Sequence, residues 1–236
     1  MNNRNSYIFF FFYFIIICFD SATPLHAQKS RFKKIFDGKT LEGWSADSSF
    51  WRVENGSLVG EVKPGQPIKT NSFLIWKKGL PADFEFKAQY RISREGNSGV
   101  NYRSSEVPGI PYTLKGYQAD LDGENRYTGQ NYEERGRGFL AMRGQQARLT
   151  QDPKPIIIGS LGNSDTLKQQ IKPEAWNTIH IIAKGNHLLH YINGVLMSEV
   201  WEENQAEGKS SGLIGLQVHV MPFMKVEYRE VYLKEL

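Results

Sequence analysis

The chain has 236 residues and a formal net charge of only +4. Its basic residues are not gathered into the stripe that a nucleic-acid partner would require, so that class of function is set aside. The single cysteine, Cys18, leaves no intramolecular disulfide and, beyond it, no thiolate chemistry.

The N-terminal stretch "MNNRNSYIFFFFYFIIICFDSATPLHAQ" places Arg4 before an apolar run from Tyr7 to Phe19, then Pro24 and the small residue Ala27. That order predicts a signal peptide over residues 1–27 and a folded domain over 28–236. The run is shorter than the ~20 residues of a spanning helix. The expectation is therefore a secreted or periplasmic protein with no membrane span after signal removal. An uncleaved N-terminal membrane anchor is the alternative. A lipid-modified Cys18 fits poorly, because Ile15, Ile16 and Ile17 precede it where a small residue is expected.

The rest of the chain alternates short apolar runs with turn residues, which signals strands. "FWRVENGSLVGEV" reads as a hairpin turning at Asn55-Gly56, since both residues tolerate positive φ. In "DFEFKAQYRI", Phe84, Phe86, Ala88, Tyr90 and Ile92 share one face by period two. "SGVNYRS" and "GYQADLDG" follow as strands. "WNTIHIIAKGNHLLHYINGVLMSEV" reads as three strands with turns at Gly185-Asn186 and Asn193-Gly194. "SGLIGLQVHV" and "MKVEYREVYLKEL" complete the series. The N-terminal "KKIFDGKTLEGW" and the C-terminal strand are expected to pair or neighbour. No stretch keeps a helical period and no linker divides the chain. The fold class read from this pattern is all-β: a single two-sheet antiparallel β-sandwich.

The stretch "KGYQADLDGENRYTGQNYEERGRG" concentrates acids, bases, aromatics and glycines. An EF-hand loop needs Gly at its sixth position, and Gly123 comes fourth in "DLDGEN", so that match fails. Read as a strand, Gln118, Asp120 and Asp122 face one way and Tyr117, Ala119 and Leu121 the other. Glu133, Glu134, Arg135 and Arg137 follow. Such a mixture is either a structural ion-pair network or an acid/base site. The glycines would let this segment fold over a ligand, and Tyr117, Tyr127 and Tyr132 offer rings for sugar faces. In "GLIGLQVHV", Gln217 and His219 share a strand face. Gly96-Asn97-Ser98-Gly99 reads as a bulge or turn, or as a place where Asn97 contacts a ligand. Serine-hydrolase elbows, P-loops, HExxH and dinucleotide fingerprints are missing.

Seven stretches in order, "FDGKTLEGW", "WRVENGSLVG", "DFEFKAQYRI…GNSGVNYRS", "GYQADLDGENRYTG", "YEERGRG", "EAWNTIHIIAKGNHLLHYINGV" and "IGLQVH…MKVEYREVYLKEL", resemble the 3-keto-disaccharide hydrolase family. The resemblance runs from about Lys34 to Leu236. It implies a concanavalin A-like jelly roll and an enzyme that cleaves glycosides carrying a ketone at C3, with a carbohydrate substrate as partner. It transfers no residue-level roles.

On the chemistry this implies, Asp120, Glu134 and His219 are the candidate catalytic residues. Asp120 or Glu134 would be the base and His219 an acid, base or ligand. Asn97, Tyr102, Arg103, Gln118, Tyr132, Arg135 and Gln217 are the candidate substrate-binding residues. Arg103 or Arg135 would orient the sugar or the enolate oxygen. A divalent metal ion as cofactor would sit on Asp120, Glu134 and His219, since only oxygen and imidazole ligands are on offer. A non-catalytic carbohydrate-binding module on the same sandwich is the alternative function. A surface adhesion domain with flat, solvated polar faces is a third.

Overall fold

A computed structural model describes residues 31–236. The predicted signal peptide lies outside the described residues. Two sheets pack face to face. The larger runs in the order β12 (Ile156–Ser160), β11 (Gln145–Leu149), β15 (Val195–Glu202), β14 (His187–Ile192), β13 (Asn177–Lys184), β6 (Phe84–Ile92), β17 (Met224–Glu235), β4 (Ser57–Val62) and β3 (Trp51–Glu54). The two-residue β1 (Lys33–Lys34) joins it beside β17, so the two ends of the domain pair as expected. The smaller sheet runs β10 (Gly138–Ala141), β9 (Asn131–Glu134), β8 (Leu114–Asp122), β7 (Asn97–Glu106), β16 (Leu213–Val218), β5 (Ser72–Trp76) and β2 (Trp44–Ser45).

The predicted sandwich is the observed one, a jelly roll with one short helix among the described residues, Ser164–Lys168. It differs from the all-antiparallel expectation at one seam, where β11 pairs β15 in parallel. Period two works as read on β6, where Phe84, Phe86, Ala88, Tyr90 and Ile92 are buried and the residues between them are half-exposed. The turn before β4 carries Asn55 at φ 50° and Gly56 at φ 74°, as a tight hairpin with both central residues left-handed requires. β5 reads "SFLIW" and is buried along its whole length. An unalternating five-residue run gives no period that separates a buried strand from a buried helix turn, which is why it escaped the sequence reading.

The core between the sheets is rich in aromatics. Tyr102 lies 5.6 Å from Tyr117 and 5.9 Å from Phe84, centroid to centroid. His190 is buried there too, with Nε2 2.9 Å from the Tyr102 hydroxyl and Nδ1 3.2 Å from the Gln130 carbonyl oxygen. Burial in this apolar setting lowers its pKa to about 4. The smaller sheet also hides its outward face. There Phe73, Ile75, Leu114 and Leu213 form a second apolar cluster over β5 and β16. Beside that cluster, over β7, β8 and β9, the outward face turns polar.

Candidate functional site

β8 alternates as the sequence predicts: Tyr117, Ala119 and Leu121 enter the core, and Gln118, Asp120 and Asp122 take the other face. That other face is not washed by solvent. It forms the floor of a cleft of about 380 Å³ lined by Asn71, Asn97, Gln118, Asp120, Tyr127, Tyr132, Glu134, Arg135, Phe139 and His219.

The floor is a chain of side-chain amides joining two carboxylates. The Gln118 amide nitrogen donates to Asp120 Oδ1 at 2.6 Å, and its oxygen accepts from Gln217 Nε2 at 2.9 Å. Gln217 Nε2 also reaches Glu134 Oε2 at 3.4 Å. Asn71 Nδ2 donates to Glu134 Oε1 at 3.1 Å, while Asn71 Oδ1 accepts from the Val220 backbone N–H at 3.0 Å. Each amide thus presents its NH2 to a carboxylate, which fixes its orientation. Gly99 makes the crossing possible: a Cβ there would lie 2.6 Å from Gln118 Cγ and Cδ, so only glycine lets Gln118 lie across β7 toward Gln217. From the core side the Gln217 carbonyl accepts from the Ser98 hydroxyl at 2.5 Å, and Ser98 is in turn 2.8 Å from the Tyr228 hydroxyl.

The two carboxylates differ in their surroundings. Asp120 is pushed up to about 8; burial is the main cause, the Gln118 amide opposes it, and the charges of Glu134 and Asp122 add to it. Asp120 therefore carries a proton at neutral pH. Among the described residues, Glu134 accepts only from side-chain amides and has no cation within ion-pairing distance. Arg135 stands in the turn after it with φ 55° and an exposed side chain. His219 follows β16 directly and is half-buried at the rim, with Nδ1 3.0 Å from the Val220 carbonyl oxygen.

One wall is aromatic. Phe139 stacks on Tyr127 at 5.7 Å and meets Tyr132 edge-on at 5.1 Å. The loop bearing Tyr127 is held by Arg143, whose buried guanidinium donates to the Asn125 and Thr128 carbonyls at 3.1 and 2.8 Å.

The structure brings Asn97, Gln118, Asp120, Tyr132, Glu134, Arg135 and His219 to this one cleft. Gln217 lies beneath the lining, fully buried, and its amide reaches Glu134 and Gln118. Tyr102 and Arg103 are not there. Tyr102 points into the core, because its position on β7 falls on the inward face. Arg103 sits at a register shift with φ 45°. This bulge turns its side chain away, to the carbonyls of Ala82, Gly185 and Lys209 and to the Asp83 carboxylate. Tyr117 is likewise a core residue, with its hydroxyl donating to Glu202. Among the described residues no group of three or more His, Cys, Asp or Glu side chains is gathered to hold a metal ion. Asp120, Glu134 and His219 share the cleft without converging as a ligand set. Asn71 and Phe139 escaped the sequence reading. Asn71 is a lone amide in a loop and carries no signature. Phe139 had one: it stands second in a short strand, after Gly138 and before Leu140, and alternation with buried Leu140 turns it outward.

Fold and cleft together define a two-sheet jelly roll with a paired-carboxylate site on the outward face of its smaller sheet. The chain belongs to the 3-keto-alpha-glucoside-1,2-lyase-like domain family, whose profile matches residues 31–234. A 3-keto-disaccharide hydrolase of Bacteroides thetaiotaomicron is 34% identical over 84 residues. That match spans 31% of this chain and 27% of the relative. A candidate glycosyl hydrolase of Parabacteroides distasonis superposes with a TM-score of 0.58 at 18% identity, covering 87% of this chain and 100% of that one. The carbohydrate-binding module CBM66 of Bacillus subtilis superposes with a TM-score of 0.51 at 15% identity, covering 81% and 95%. At such identities the two superpositions speak to the fold.

Proposed function

We propose that the protein is an exported enzyme that cleaves the glycosidic bond of 3-keto-glycosides, 3-keto-disaccharides among them. The observation that carries this reading is the division of labour between two carboxylates in one cleft. Asp120 holds a proton at neutral pH, and Glu134 is kept as an acceptor by amide N–H groups. A ketone at C3 acidifies the C2 hydrogen. Glu134 takes that proton, the C1–O bond breaks with its electron pair, and Asp120 gives its proton to the departing glycosidic oxygen. The product is a 1,2-unsaturated 3-ketone. Water then adds its oxygen to C1, Glu134, whose proton has exchanged with solvent, delivers a proton to C2, and the second water proton restores Asp120. The sum is hydrolysis. At the rim Arg135 supplies charge, and Arg135 and His219 supply hydrogen bonds, for the enolate oxygen.

The test is cleavage of 3-keto-trehalose in D2O, beside unoxidised trehalose. The expected result is release of 3-keto-glucose carrying deuterium at C2, with trehalose untouched. Cleavage without deuterium at C2 would point instead to ordinary two-carboxylate hydrolysis. Saturable binding of 3-keto-trehalose without turnover would make the protein a binding module, a reading the aromatic wall also supports. Export is checked separately, by mass spectrometry of the mature N-terminus, expected near Gln28.

A further inference from the structure

We infer that His190 is a positioning residue for the cleft: from the opposite sheet it pins the connection between β8 and β9, the segment around which Asp120, Tyr127, Tyr132 and Glu134 are arranged. What the cleft does rests on the reading above; the pinning is a property of the fold and is tested apart from it.

His190 belongs to β14 in the larger sheet, and β7, β8 and β9 belong to the smaller one. Its ring crosses the core to them through a relay whose donors can be assigned. The Gln130 carbonyl oxygen can only accept, so the contact at 3.2 Å places the imidazole proton on Nδ1. Nε2 is then an acceptor, and the Tyr102 hydroxyl donates to it at 2.9 Å. The Tyr102 oxygen in turn accepts from Asn131 Nδ2 at 3.3 Å. The Tyr102 ring also meets the imidazole edge-on at 5.6 Å. All three side chains are buried, so each of these bonds is made in a setting where its loss leaves a polar group without water to replace it.

The relay ends where the cleft residues begin. Gln130 is the last residue before β9 and Asn131 the first in it. The same Gln130 oxygen that accepts from His190 also accepts from Asp120 N–H at 3.2 Å, and the Asp120 carbonyl accepts from Gly129 N–H at 3.0 Å. One carbonyl therefore joins the imidazole to the backbone of Asp120, with Tyr132 and Glu134 two and four residues further along the chain. Asp122 and Arg143 tie the connection to the strand before it and to the turn after β10; His190 adds a tie to the opposite sheet. Packing alone does not call for an imidazole here. A leucine would fill an apolar core and bring no polar atoms to satisfy. What a leucine lacks is the directed N–H to Gln130.

The experiment uses His190→Leu, which deletes the tie, and His190→Asn, whose side-chain N–H stands close to Nδ1 and can keep the bond to Gln130. The first readout is independent of turnover: amide hydrogen exchange by NMR at Asp120 and Gly129, taken relative to Phe86 in β6. His190→Leu is expected to speed exchange at Asp120 and Gly129 about tenfold or more relative to Phe86, and His190→Asn to return the ratio to within about threefold of native. An unchanged ratio, or a Phe86 amide that speeds up as much as the others, overturns the pinning. The second readout is turnover of 3-keto-trehalose per folded molecule. For His190→Leu, kcat is expected to fall about tenfold with KM within about twofold of native, and His190→Asn to restore kcat. A native kcat in His190→Leu, or an Asn variant as slow as the Leu variant, overturns the positioning role. Should His190→Leu fail to fold, Tyr102→Phe carries the test. It removes the donor that holds Nε2 as the acceptor and is expected to shift the exchange ratio the same way, about threefold; no shift overturns the relay. A native protein that cleaves no 3-keto-trehalose removes the proposed reaction alone, and the exchange ratio still decides the pinning.

Discussion

Glu133 and Glu134 are neighbours in the chain, both are buried, and they live in opposite electrostatic worlds. Glu133 is saturated with cations: Lys209 Nζ and Arg137 Nε both bind it, the latter at 2.5 Å. Arg137 goes on to Glu202 at 2.5 Å, and Glu202 accepts from the Tyr117 hydroxyl at 2.8 Å. Burial alone would push the Glu133 carboxyl up, but Lys209 and Arg137 outweigh it and hold it below the usual range. Glu134, one residue on, projects to the other face of β9 and accepts from the amides of Asn71 and Gln217. A strand reverses its faces at every residue. A single dipeptide therefore supplies a structural ion pair to one side of the sheet and an acceptor to the cleft on the other. Cations tie the Glu133 carboxylate into an ion-pair network, while amides fix the orientation of Glu134 facing the cleft.

The largest effect should come from breaking the silent side. Glu133→Gln leaves Arg137 and Lys209 short of a buried partner, and loss of one member of such a group costs about 3–5 kcal/mol. Urea denaturation should show that loss, while turnover per folded molecule stays within about twofold of native. A Glu133→Gln protein that is stable but inactive would reverse the assignment of the two glutamates. Next come Asp120→Asn and Glu134→Gln, each expected to lower kcat and kcat/KM together by about 10²-fold or more. Near-native turnover of 3-keto-trehalose by both would remove this cleft from catalysis.

The third prediction sharpens the contrast through pH. The Asp120 carboxyl is about 8 in the folded protein against an ordinary 3.8. The folded state thus binds the extra proton, and stability is lost as pH rises from about 4 toward 8, by roughly 1.4 kcal/mol per unit from this group. Asp120→Asn should therefore be more stable than the native protein at pH 8, with the advantage shrinking as pH falls toward 4. Native kcat/KM should decline above about pH 8 as the acid ionises. His190 acts at the other limb: held at about 4 against 6.5 when unfolded, it favours folding above pH 6.5 and withdraws that support as pH falls from 6.5 toward 4. Thermal melts across pH 4–9 check both signs. The smallest effect is expected from Gly99→Ala. Its Cβ would displace Gln118 and loosen the amide chain, lowering kcat about tenfold with little change in melting temperature. An unaltered kcat would show that the chain is not needed to place the carboxylates.

Much of the cleft was legible before any coordinates. Period two put Gln118 and Asp120 on one face of β8 and Phe84 through Ile92 on the core face of β6, because strand side chains alternate without exception in an unbroken strand. The reading failed where the strand breaks. Arg103 lies within the register shift of β7, and no local signal in "NYRSSE" marks a residue with positive φ; Tyr102, just before it, follows the alternation that turns Val100 into the core. It also failed to sort the ionic run. "YEERGRG" offers two acids and two arginines, and only the pairing of β9 with β8 assigns Glu133 to Arg137 and Glu134 to the cleft.

By itself, then, the sequence determined the strands, the tight turns and the residue types available for acid/base work, since these depend on neighbours within a few positions. Which carboxylate keeps a proton was decided only by the tertiary structure. Asp120 owes its raised pKa to burial and to the charges of Glu134, fourteen residues on in the chain, and Asp122. Its partner Gln118 is oriented by Gln217 from a strand 99 residues away. Desolvation and cross-strand hydrogen bonds exist only once the sheet has closed, and no local pattern encodes them.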